Sequence, residues 1–215
     1  MDRAPDHVRD TYDDIAEHFA STREYPWPEV ETFLDGVEGA VGLDLGCGNA
    51  RHAEPMAERV DRVVGVDVSR GLLDTARKRR GERGFDVDLV QGDAGRLPLA
   101  AGVVDVAVYV ATLHHLPDRA ARRRSLDELA RALAPEGRAL VSAWSTTHDR
   151  FDRSEGFDTT VDWTLPGGET VPRYYHIYSP AEFEADVAES GLQLLDFEVS
   201  SGNCYGVVGR PHGSD

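Results

Sequence analysis

The feature that most constrains this chain is residues 41–49, Val-Gly-Leu-Asp-Leu-Gly-Cys-Gly-Asn. An apolar run that takes up one acidic residue and then breaks into two glycines reads as the first strand of a parallel sheet entering a tight turn. Gly46 and Gly48 let the backbone turn sharply and bring its N–H groups near a ligand, because no Cβ stands in the way. Asn49 is placed to cap the helix that follows. A dinucleotide fingerprint requires a third glycine three residues after Gly48, and Arg51 stands there, which weakens a pyrophosphate reading.

A cofactor without phosphate is the alternative, and Asp44 beside the turn is then a partner for positive charge. S-adenosylmethionine carries an ammonium and a sulfonium. Residues 43–49 resemble the first motif of the class I S-adenosylmethionine-dependent methyltransferases.

At 215 residues the chain suits a single α/β domain spanning residues 1–215. No apolar run is long enough to span a bilayer and no basic-then-apolar leader opens it, so a soluble, cytoplasmic protein without a membrane partner is expected. Cys47 and Cys204 form no metal or disulfide framework. With 39 acidic against 23 basic side chains the net charge is −16, and Lys78 is the sole lysine. Apolar runs at 103–110 and 138–144 argue for a packed core over disorder. The acidity therefore reads as a surface adapted to high salt, where carboxylate repulsion is screened. Such a surface repels nucleic acid in dilute buffer, so in molar salt hydrogen bonds and stacking must carry any recognition of it.

Along the chain, Val8, Tyr12, Ile15, Ala16 and Phe19 recur at helical spacing over 6–19. A loop with Pro26 and Pro28 leads to a second helix, 29–34. After the central turn a helix is expected over 50–59, then a strand over 62–66 ending at Asp67, where a carboxylate can accept both ribose hydroxyls of an adenosine. A helix over 71–80 ends in four basic residues. The third strand, 87–91, runs into Asp93 and Ala94, an acid and a backbone N–H suited to the edge of adenine. The fourth, 103–110, is followed by His114 and His115. A helix over 117–133 carries Arg119, Arg122, Arg123 and Arg124, and the fifth strand is 138–144. From 145 to 172 periodicity fails, and a long, partly mobile excursion is expected. Ser179 and Pro180 start another helix, and 192–199 with 203–209 close the chain as an antiparallel pair. Strands alternating with helices, plus this hairpin, predict a Rossmann-like α/β fold with a seven-stranded, mostly parallel sheet.

The blocks Tyr12-Asp13-Asp14-Ile15-Ala16, Phe19, Thr22-Arg23, Pro26-Trp27-Pro28, 44–49, His114-His115, 173–176 and Tyr178 together resemble the tRNA wobble-uridine carboxymethyl methyltransferase family. The resemblance implies methylation of the carboxylate of 5-carboxymethyluridine in the tRNA anticodon loop, giving a methyl ester. It implies a cofactor set of Tyr12, Asp44, Gly46, Cys47, Gly48, Asp67, Val68, Asp93, Ala94 and Val110. On the acceptor side Arg23 and Arg173 are candidates to hold the carboxylate, with His115 and His176 orienting it. Trp27, Trp144, Tyr174 and Tyr175 are candidates to stack on a base. No metal site is expected in the chain itself. The family also implies a small zinc-binding activator subunit, a heterodimer partner that adds a strand to the edge formed by strand three, where Val87, Leu89 and Val90 leave an apolar strip. The rival readings are a methyltransferase acting on a quinone, lipid or metabolite, and a non-catalytic S-adenosylmethionine-binding regulatory subunit.

Overall fold

A computed structural model describes residues 5–211, with side chains from residue 7; the ends of the 1–215 span lie outside the described residues. Seven strands form one sheet: β1 (Gly39–Leu45), β2 (Val60–Asp67), β3 (Asp88–Gln91), β4 (Val104–Tyr109), β5 (Leu133–Trp144), β8 (Gln193–Ser200) and β9 (Asn203–Gly209), in the order β3-β2-β1-β4-β5-β9-β8. All neighbours are parallel except β5–β9 and β8–β9. A second, two-stranded antiparallel sheet pairs β6 (Phe157–Thr164) with β7 (Thr170–Ile177).

Burial on both faces explains the near-continuous apolar strands. Along β4, Val104, Ala107 and Tyr109 pack with α5 (Arg119–Ala132) and α6 (Pro180–Ala188), while Val106 and Val108 join Val30, Leu34, Met56 and Ala76 on the opposite face. The helices there are α2 (Pro28–Leu34), α3 (Ala53–Met56) and α4 (Arg70–Arg83), and α1 (Pro5–Ser21) lies against α4 through Tyr12, Ile15, Ala16 and Leu72. Ser69 caps α4 and Asp118 caps α5, each accepting a backbone N–H from the first turn.

Three sequence expectations change. The helix over 50–59 shrinks to the single turn α3, because Gly48 and Ala50 stand at φ +53° and +60° and Pro55 has no N–H to extend a helix. Asn49 caps nothing: its amide donates to the carbonyls of Ala20 and Arg23 at 3.3 and 2.8 Å. The stretch 145–172 is no loose excursion, since residues 157–164 alternate inward and outward as β6 and turn through Gly168, at φ +85°, into β7. At the β3 edge Val87 is buried, which leaves Leu89 and Val90 half-buried, and Arg62 pairs with Asp88 at 2.6 Å.

Candidate active site

Strands β1 and β4 lie side by side while the chain leaves them toward opposite edges, which makes the space beyond their C-terminal ends the ligand crevice of an open α/β sheet. A cavity of about 810 Å³ opens there. Its floor is the turn after β1. Gly46 takes φ +72°, and a Cβ on it would overlap the Thr112 side chain, so both backbone and packing demand glycine. The N–H groups of Gly46 and Cys47 donate to the Val66 carbonyl at 2.7 and 3.0 Å, and that of Gly48 donates to Asp67 Oδ2 at 2.8 Å. The expectation that these N–H groups face a ligand is therefore corrected. With all three turned inward, the floor has no donor nest for a phosphate.

Asp67 ends β2 and also accepts from Ser69 N at 2.9 Å; burial, only partly offset by these hydrogen bonds, raises its carboxyl to about 6. Asp44 does not line the cavity. It lies beneath the turn, 1% exposed, with Oδ2 unpartnered, and desolvation raises it to about 7. Asp93, Ala94, Val68 and Val110 line the wall, Asp93 turning its own loop by accepting from Gly95 N at 2.6 Å.

The opposite wall comes from α1, the loop after it and the 3-10 turn Leu113–His115, with the β6–β7 hairpin packed behind them. His115 donates Nδ1–H to the Tyr174 carbonyl at 3.0 Å, which leaves Nε2 to accept from the Tyr12 hydroxyl at 2.8 Å. Burial pushes its pKa down to about 3, so this imidazole is neutral and its lone pair is already engaged. His114 is buried behind it, accepting the Trp144 N–H on Nδ1 at 2.9 Å. Arg23 reaches the cavity, its guanidinium 4.1 Å from the Phe19 ring centre and 4.9 Å from that of Trp163. Arg173 stands one layer behind, also 4.9 Å from Trp163, buried and with Nε unpartnered. Burial and then repulsion from Arg173 lower the pKa of Arg23, and among the described residues no carboxylate pairs with either guanidinium.

His176 does not reach the cavity. It lies on the far face of β7, with Nδ1 2.8 Å from Asp158 Oδ1 on β6 and Nε2 2.9 Å from Glu182 Oε1 on α6, so both nitrogens are used, one within the hairpin and one in fastening it to α6. The four aromatic side chains expected to stack on a base are consumed by packing: Trp144 and Tyr175 meet edge to face at 5.3 Å, Trp27 packs on His52 and Tyr205, and the Tyr174 hydroxyl donates to Asp158 Oδ1 at 2.8 Å with the Pro117 carbonyl 3.2 Å away.

Residues 43–141 match the model of a methyltransferase domain. A putative methyltransferase of Encephalitozoon cuniculi is 31% identical over 205 residues, covering 92% of each chain. The chain belongs to the class I S-adenosylmethionine-dependent methyltransferases. It is an enzyme whose cofactor is S-adenosylmethionine. A tRNA (carboxymethyluridine(34)-5-O)-methyltransferase of Schizosaccharomyces pombe is 27% identical over 93% of this chain and 94% of its own. One of Mus musculus is 34% identical over 65% of this chain, which spans only 20% of that longer protein. Among solved structures, the DhpI-SAM-HEP complex superposes with a TM-score of 0.77 at 22% identity, covering 98% and 99% of the two chains. A putative methyltransferase in complex with a Haloferax volcanii methyltransferase activator superposes at 0.70 with 17% identity, covering 97% and 99%.

The methyltransferase site fits this cofactor by its own chemistry. The Asp67 carboxyl on the cavity wall, beside a floor without phosphate donors, suits a ligand with ribose hydroxyls and no phosphate, and no atom lies within 4 Å of where a Gly48 Cβ would stand. Sequence reasoning passed over Arg51, His52 and Thr112, which also line the cavity. Arg51 was visible only as the residue that spoils a dinucleotide fingerprint. Nothing in the local pattern marks Thr112 as the side chain against Gly46.

Proposed function

We propose that this methyltransferase esterifies the carboxylate of 5-carboxymethyluridine at the wobble position of tRNA, and that residues 1–215 act as one domain. The observation that carries the reading is the arginine pair: Arg23 on the cavity wall with Arg173 buried one layer behind it, neither with a carboxylate partner among the described residues, in a chain of net charge −16. Two neighbouring cations repel, and an anionic acceptor relieves that repulsion. The similarity to the Schizosaccharomyces pombe enzyme over nearly the full length of both chains supports the nucleoside.

When bound, S-adenosylmethionine supplies a methyl group on a sulfonium. Gly46, Cys47, Gly48, Asp67, Val68, Asp93, Ala94 and Val110 hold it, Asp67 by accepting from the ribose hydroxyls, with Asp44 beneath the turn and Tyr12 closing the far side. A carboxylate acceptor is ionised at neutral pH and needs no general base, so alignment and charge handling are what the chain provides. Arg23 binds the carboxylate through its planar fork. Arg173 tunes that contact from behind, its charge adjacent to Tyr12 as well. His115, its lone pair engaged by Tyr12, fixes the wall and takes no proton. The short β3, with Leu89 and Val90 half-buried, receives a strand from a small activator subunit in the cytosol of an organism adapted to high salt.

The test is nucleoside mass spectrometry of tRNA from a strain lacking the gene, with the purified protein added back. Accumulation of 5-carboxymethyluridine, converted to its methyl ester on addition, is the expected result; unchanged tRNA nucleosides overturn the assignment in favour of a small-molecule acceptor.

A further inference from the structure

Tyr25 is 69% exposed, and among the described residues it is the exposed large aromatic. It sits in the loop between α1 and α2, two residues from Arg23, and the loop is pinned from three directions. Asn49 donates to the carbonyls of Ala20 and Arg23, Arg79 Nη2 donates to the Glu24 carbonyl at 2.6 Å, and Arg83 pairs with the Glu24 carboxylate at 3.2 Å. Arg51, a cavity residue, points Nη1 toward the Tyr25 carbonyl at 3.5 Å. The backbone is thus held while the ring is left in water. Every other aromatic side chain considered above is packed, and Tyr25 presents an open ring on a fixed backbone beside two cavity arginines, Arg23 and Arg51.

We infer that Tyr25 is a stacking platform for an unpaired nucleobase next to the acceptor nucleotide, an inference that rests on the RNA reading above. The chemistry is complementary. A base has a π-face whatever its identity, and a flanking phosphate meets the guanidinium groups, a local exception on an acidic surface. Stacking is insensitive to ionic strength, whereas phosphate contacts weaken as salt rises. Tyr25 therefore supplies the part of RNA recognition that survives in high salt.

The experiment compares the intact protein, with any co-purifying subunit retained, on two acceptors: an anticodon stem-loop RNA carrying 5-carboxymethyluridine at the wobble position, and the free nucleoside. Tyr25→Ala is expected to raise KM for the stem-loop by about 5- to 150-fold, the range of one lost base stack, with kcat within about twofold. The factor should be the same at low and at molar salt, Tyr25→Phe should retain the parent KM, and nucleoside kinetics and S-adenosylmethionine affinity should not move. A Tyr25→Ala protein with the parent KM on the stem-loop overturns the stacking. So does an equal loss on the free nucleoside, which marks a merely structural residue. If the parent protein binds S-adenosylmethionine but methylates no RNA, the RNA reading fails and the stacking with it, a result distinct from a working parent with an indifferent variant.

Discussion

Asp67 is a carboxyl whose hydrogen bonds favour ionisation and whose burial opposes it, and burial wins by enough to bring it to about 6. If Asp67 accepts from ribose as proposed, its ionised form is the binding form, and S-adenosylmethionine affinity should fall as pH drops through about 6, approaching tenfold per pH unit below it. Calorimetry from pH 5 to 8 checks this. Asp67→Asn should bind roughly 1–3 kcal/mol more weakly and with a flatter profile. The cofactor-free protein shows the opposite slope in stability. Asp67 and Asp44 titrate at about 6 and about 7 when folded against 3.8 unfolded, so the native state keeps protons that the unfolded chain has released. Stability should decline as pH rises from about 4 to about 7, by at most about 1.4 kcal/mol per pH unit for each group. In urea titrations Asp44→Asn should remove its share of that slope. On the acceptor side, Arg23→Ala should lower kcat/KM for RNA by about 10- to 100-fold with cofactor affinity unchanged. Arg23→Lys should recover only part, because a point charge lacks the fork; a fully active lysine variant would remove Arg23 from the acceptor contact.

At the level of elements, the turn after β1 is the most demanding. Gly46→Ala adds the cost of a left-handed backbone, roughly 1–2 kcal/mol, to that of overpacking against Thr112, about 1–3 kcal/mol. Urea unfolding should register both, and Thr112→Gly in the same chain should recover only the packing share. This turn, the parallel strands and the closing antiparallel pair were legible in the sequence, because each rests on a local pattern: an apolar run, a glycine doublet, a strand-end acid. The hairpin β6–β7 was missed although Thr159, Val161 and Trp163 alternate and Gly167-Gly168 punctuates them. Its inward face packs against Phe19 and Trp144 from distant parts of the chain, and no local apolar density announces it. His176 was misplaced for a related reason. Period 2 puts it on the face opposite Arg173 and Tyr175, and assigning both faces of one strand to the site overlooked that.

For the whole molecule, the charge of −16 sets how it meets partners. The edge at β3 is short, carries the Arg62–Asp88 pair and keeps Leu89 and Val90 only half-covered, which leaves room for the strand of the proposed activator subunit. Purification from the native host in high salt should return a small second subunit in stoichiometric amount, and Leu89→Lys with Val90→Lys should release it. A fully active lone monomer would exclude that subunit.

The amide of Asn49 ties the turn after β1 to the carbonyls of Ala20 and Arg23, so the cavity floor and the loop that carries Arg23 are a single mechanical unit. Loading the turn therefore stiffens the seat of the acceptor before the acceptor arrives. In steady-state kinetics this should appear as a compulsory order, with S-adenosylmethionine first on and S-adenosylhomocysteine last off. The product should then inhibit competitively against the cofactor and non-competitively against RNA, and Asn49→Ala should turn that pattern toward random addition.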